Sequence, residues 1–247
     1  MSHADTTVDT LLHPGWIIPV IPEGEVLTDH SLAITDGEIS AILPRSETRR
    51  FEATRELELP EHALLPGLIN SHGHAAMSLL RGYADDQPLM PWLEQHIWPA
   101  ETEHVSEEFV RDGAELAIAE MIRSGTTTFS DMYFFPEVVA QLAKDVGIRC
   151  QLSFPIFDFP TAWANNADEY ISKGLALRDD VKHSALVSVV FGPHAPYTVS
   201  EANLTKVATL AAELDLAVHI HLHETAGEVL QAVEQNGERP LDSLHRL

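Results

Sequence analysis

From about residue 65 onward, short apolar runs alternate with segments whose apolar residues recur at helical spacing, and this alternation limits the possible folds more than any other feature. Thr126 to Met132, Arg149 to Phe154, Leu186 to Gly192 and Leu216 to His223 read as strands. Helices separate them. Ser106 reads as an N-cap with Glu107 and Glu108 in the positive first turn. Val110, Ala114, Ala117, Ile118 and Met121 then form one apolar stripe, and Gly125 stops the helix. Ser200 caps the next, whose stripe is Leu204, Val207, Leu210, Ala211 and Leu214, and Ala226 to Gln235 forms another. Strands joined by helical crossovers run parallel, and functional groups at their C-terminal ends fit a (β/α)8 barrel.

Residues up to about 65 read instead as all-β. Asp36-Gly37 between Leu32–Thr35 and Glu38–Ile42 is a strong two-residue hairpin signal. Its register pairs Ile34 with Ile39 and predicts one apolar face. The chain therefore divides near residue 64 into a β portion, 1–64, and an α/β portion, 65–247.

The chemistry is concentrated in histidines. His72 and His74 follow the run Leu64 to Ser71, and on a strand residues two apart share a face, so both imidazoles can reach one metal ion. Residues Ala217 to Glu224 alternate strictly, with His219, His221 and His223 on one face and Glu224 just beyond. Buried imidazoles need hydrogen-bond partners, which makes such a face costly as plain core.

Fifteen basic and 38 acidic residues give a formal charge of −23, which argues against nucleic acid or an anionic membrane as partner. Simple solubility accounts for it. Cys150 is the sole cysteine, so no intramolecular disulfide forms; its apolar surroundings read as a buried strand. Met1 to Thr10 lacks the basic and apolar segments of a signal peptide, no apolar stretch approaches membrane-spanning length, and the expected location is the cytoplasm.

Five ordered blocks resemble the metal-dependent amidohydrolase superfamily, and within it the branch that deaminates 5-methylthioadenosine and S-adenosylhomocysteine. They are Leu65-Pro66-Gly67-Leu68-Ile69-Asn70-Ser71-His72-Gly73-His74; Leu79-Leu80-Arg81-Gly82; Gly125-Thr126-Thr127-Thr128 with Asp131-Met132-Tyr133; Gly192-Pro193-His194-Ala195-Pro196-Tyr197; and His221-Leu222-His223-Glu224-Thr225. The resemblance implies an α/β fold, a TIM-type barrel beside a small β-sandwich. It makes His72, His74 and His221 the ligands of one divalent ion, with zinc expected and iron or manganese admitted by the same donors. His219 and His223 are then packing or hydrogen-bonding neighbours of that centre.

The resemblance further makes Glu224 the proton shuttle of a hydrolytic deamination and a substrate contact; the competing role is a charge favouring a helix N-terminus. His194, stiffened by Pro193 and Pro196, becomes a contact to the purine or the developing anion, against an ordinary loop histidine. Glu101 matches the position that accepts hydrogen bonds from the ribose diol, against an exposed helix-start glutamate. Trp92, Trp98 and Phe134 are candidates for an apolar wall facing a thioether, against plain packing.

A complete barrel takes about 250 residues by itself, and only about five strand–helix units are visible here. The expectation is thus the N-terminal portion of a longer enzyme, homo-oligomeric when full length. The resemblance also implies a further histidine and a metal-binding aspartate beyond residue 247, without which the present chain would bind metal weakly and turn over little. Two rivals remain: a relative acting on guanine, cytosine or chlorotriazines, and a catalytically silent fragment.

Overall fold

Asp36 and Gly37 take φ values of 53° and 79°, the paired left-handed geometry that a two-residue turn between twisted strands demands. In the computed structural model, which describes residues 6–247, they join β2 (His30–Thr35) to β3 (Glu38–Pro44). The expected pairing of Ile34 with Ile39 is present. The single apolar face is not. A register shift between Ala33 and Ile34 puts Ala33 opposite Ala41, so Leu32, Ala33 and Leu43 are buried while Ile39 is 64% exposed. With β1 (Thr6–Ile17) and β4 (Phe51–Leu64) the hairpin forms one four-stranded sheet, ordered β3-β2-β1-β4. Part of the segment read as lacking a signal peptide, residues 1–5, lies outside the described residues.

This sheet belongs to the first of two compact units, Met1–Gly67; the second is Leu68–Leu247. The second unit holds a four-stranded parallel sheet ordered β5-β6-β7-β8: β5 (Leu68–Asn70), β6 (Thr126–Asp131), β7 (Arg149–Ile156) and β8 (Val187–Pro193). Its helices are α1 (Leu89–Trp92), α2 (Trp98–His104), α3 (Glu107–Ser124), α4 (Pro136–Val146), α5 (Ala167–Val181), α6 (Glu201–Leu214), α7 (Ala226–Asn236) and α8 (Pro240–Arg246). The core between sheet and helices contains Phe129, Leu152, Phe154, Tyr170 and Phe191, and Cys150 is buried within it. No helix among the described residues is long and apolar enough to cross a membrane.

Helix α3 follows its local signals. Ser106 Oγ accepts the Phe109 N–H at 3.2 Å, Val110, Ala114, Ala117 and Ile118 are buried, and Gly125 closes the helix at φ 88°. Gly113 is held by contact rather than conformation. A Cβ there would lie 2.3 Å from the Ala76 carbonyl oxygen, so only glycine lets α3 pack against the short helical turn Ala75–Leu80.

Two local expectations give way to tertiary structure. Ser200 occupies the N-cap position of α6, but its hydroxyl makes no capping bond; Asp158 instead accepts from Ser200 N at 2.9 Å and from Asn203 Nδ2 at 2.7 Å. Leu216 to His223 bridges the sheet at Val218 opposite Phe191 rather than forming a full strand. Ladder bonds from Phe191 N to Ala217 O and from His219 N to Phe191 O keep it alongside β8. At His223 φ is 55°, so the alternation ends before the third histidine.

Candidate metal centre and active site

The parallel strands deliver the site at their C-terminal ends, where such sheets place functional groups. β5 ends at Asn70, so His72 and His74 lie just beyond the strand rather than on its face. Asn70 Oδ1 accepts the His72 N–H at 3.4 Å and Gly73 O accepts the Met132 N–H at 3.0 Å, which turns the loop back toward β6. The two rings still meet, with centroids 4.9 Å apart.

His221 arrives from the extended segment beside β8, its N–H donated to His194 O at 3.0 Å. One nitrogen from each of His72, His74 and His221 falls within 4.8 Å of the others. A carbonyl can only accept, so His74 Nδ1 donates to Met132 O at 2.6 Å and His221 Nδ1 donates to His194 O at 2.8 Å. Each ring is thereby left with a bare lone pair on Nε2, the tautomer a metal ligand requires. His72 Nε2 lies 3.2 Å from His221 Nε2, while His72 Nδ1 is 3.0 Å from His219 Nε2. His219 Nδ1 in turn meets Ser153 Oγ at 2.9 Å, so this histidine supports His72 from behind. His223 points elsewhere; its Nε2 accepts the Leu241 N–H at 3.3 Å.

Burial favours the neutral form of His74 and His72. It pushes the His74 pKa down to about 4 against an opposing bond to Met132, and it lowers His72 with help from His221 and His219. A set of neutral nitrogens with free lone pairs, oriented by outer hydrogen bonds, fits a zinc-type divalent cation.

Beside these rings lies a cavity of about 340 Å³, lined by Glu101, His194 and Glu224 along with His74 and His221. Trp92, Trp98 and Phe134 line it as well, so the three aromatics singled out in the sequence all border the same cavity. His194 stacks on Phe157 at 4.7 Å and is fixed through Nδ1 by Thr198 Oγ1 at 2.9 Å. Burial, then the neighbouring His221 and His74, push its pKa down to about 3. Glu101 accepts from Tyr133 Oη at 2.8 Å, and burial outweighs that bond to push its pKa up to about 7. Glu224 is exposed to the cavity and accepts from Tyr197 Oη at 2.7 Å.

All six residues expected at the site thus gather in one place. Four others had no role from sequence alone. Tyr133 and Tyr197 hold the two glutamates, and no local pattern announces either. Buried Asp131 accepts the Ala75 N–H at 2.6 Å, and burial pushes its pKa up to about 7. Glu228 was legible: Thr225-x-x-Glu228 is a capping-box pattern, and Thr225 Oγ1 accepts the Glu228 N–H at 3.1 Å.

Residues 63–247 match the amidohydrolase family, and the chain belongs to it. Among its relatives, the 5-methylthioadenosine/S-adenosylhomocysteine deaminase of Teredinibacter turnerae is 54% identical over 97% of this chain, and that of Saccharophagus degradans 51%. In each case the chain spans 54% of the relative's length. A crystal structure of an adenosine deaminase from Xanthomonas campestris with bound zinc superposes with a TM-score of 0.95 at 48% identity, covering 98% of this chain and 55% of that one. An atrazine chlorohydrolase from Arthrobacter aurescens, complexed with zinc, has a TM-score of 0.86 at 20% identity, with 96% and 58% covered, and shares the fold.

Proposed function

We propose that the protein of which these residues form part hydrolytically deaminates adenine nucleosides, 5-methylthioadenosine and S-adenosylhomocysteine being its substrate class. One observation carries this reading: three imidazole nitrogens converge within 4.8 Å beside a cavity that also presents Glu101, His194 and Glu224. Since the chain spans about half of its relatives' length, the activity is proposed for a protein of that length. In this reading residues 1–64 contribute to a β-sandwich and 65–247 to a (β/α)8 barrel, five of whose strand positions are represented here.

His72, His74 and His221 would hold the ion, zinc being favoured by their chemistry and by the zinc in the Xanthomonas relative. A divalent ion there supplies Lewis acidity that makes water nucleophilic near neutral pH. As water oxygen adds to the amino-bearing carbon, Glu224 takes a proton from that water and passes it to the adjacent ring nitrogen. The second water proton then passes by the same carboxylate to the amino group as the carbon–nitrogen bond breaks, so that ammonia leaves, the inosyl product remains and Glu224 returns to its starting state. His194, neutral and locked against Phe157, contacts the purine or the charge developing on it. Glu101 accepts from the ribose hydroxyls, and the aromatic wall receives the thioether.

Relatives that act on guanine or on triazines lack a ribose to bind, so Glu101 separates the readings. Replacing Glu101 with Gln should raise KM for 5-methylthioadenosine by on the order of tenfold, because one of the two oxygens able to accept from the diol is lost. Turnover of guanine, cytosine or a chlorotriazine, with neither nucleoside consumed, would overturn the proposal.

A further inference from the structure

Glu228 lies on α7, 8% exposed, and its carboxylate turns back past the start of its own helix. Oε1 accepts the His223 N–H at 3.1 Å and Oε2 accepts the Glu224 N–H at 2.7 Å. These two residues form the turn that follows His221. His223 sits there at φ 55°, a left-handed conformation that a side chain with a Cβ disfavours and that needs outside support. The carboxylate supplies it by tying down both amides at once. At the other end of Glu224, Tyr197 Oη fixes the carboxylate itself at 2.7 Å.

We infer that Glu228 is a positioning residue for the hydrolysis, clamping the backbone of Glu224 so that its carboxylate stays within reach of both the cavity and Tyr197. The inference rests on the reading of Glu224 as the proton-transferring group. In an ordinary capping box the carboxylate would return to the Thr225 N–H, alongside the bond from Glu228 N to Thr225 Oγ1. Its two bonds instead go to the amides ahead of the helix, one of them belonging to Glu224 itself.

The test uses the metal-loaded, full-length protein with 5-methylthioadenosine as the probe, and reads kcat, KM, metal content and Tm. Glu228→Ala should lower kcat by on the order of a hundredfold, as a small misplacement of a reacting group does, with KM and metal content unchanged. Glu228→Gln keeps the shape but offers one acceptor instead of two, and should fall between Glu228→Ala and the parent. Asn166→Ala serves as the control: it removes the cap of α5, where Asn166 Oδ1 accepts the Glu169 N–H at 3.1 Å, and should lower Tm while leaving kcat intact. Parent-like kcat in both Glu228 variants would overturn the inference, and so would a loss of metal in proportion to activity. Glu224→Gln tells the two levels apart. If it is inactive while the Glu228 variants work normally, only the positioning role fails; if it is active, the reading of Glu224 fails first.

Discussion

Two of the three imidazoles at the centre owe their available lone pair to a backbone carbonyl some distance away in sequence, and the third, His72, meets His219. His74 depends on Met132 and His221 on His194. Sequence spacing pointed to the two ligand segments because His72 and His74 lie two apart and His219, His221 and His223 alternate, but the partners that set the tautomers became visible only once β6 and β8 were in place. The same holds for Glu101, whose burial follows from tertiary packing. Its carboxyl titrates near 7 in the folded protein against 4.5 for an ordinary glutamate. Between those values the unfolded chain has released the proton and the folded protein still holds it, so ionisation is unfavourable to the fold. Stability should therefore decline as pH rises from about 5 to 7, and Glu101→Gln should flatten that part of the profile. Urea midpoints for both proteins across the window check it; parallel profiles would contradict it.

Elements with complete local signals were readable, while those completed by distant partners were not. The cap, stripe and stop of α3 are all local, and the helix is where the periodicity puts it. β5 is only three residues long, and its two histidines lie beyond it because Asn70 and Met132 turn the chain there. Leu216–His223 has the alternation of a strand, yet the left-handed turn at His223 that Glu228 supports cuts the pattern short. Gly113 makes the contrast testable. Gly113→Ala would normally favour a helix, but here the added methyl meets Ala76 backbone at 2.3 Å. It should destabilise the protein by about 1–3 kcal/mol in chemical denaturation, the usual cost of overpacking, and displace the turn that follows His74. Ser106→Ala should cost about 1 kcal/mol through loss of its cap, without that displacement. A stabilised Gly113→Ala variant would show that the contact between α3 and the turn yields easily.

Across the whole molecule, superfamily membership was legible because the ligand motifs and the strand–helix alternation recur together in order. The substrate branch depended on fewer residues, Glu101 and the aromatic wall among them. An ion held by side chains from two separated segments couples binding to folding, since the unfolded chain has no such site. Zinc should raise Tm and a chelator should lower it, whereas His72→Ala or His221→Ala should remove most of that dependence. An unchanged zinc effect in both variants would move the ion elsewhere.

Deamination at this centre is best measured as ammonia release from 5-methylthioadenosine by the zinc-loaded, full-length protein, made in parallel on Glu224→Gln with metal content recorded for both. The parent should release one ammonia for each inosyl product, and the variant almost none while keeping its zinc. Release that persists in Glu224→Gln, or a fully loaded parent that leaves both the methylthio and homocysteine nucleosides untouched, would contradict this reading.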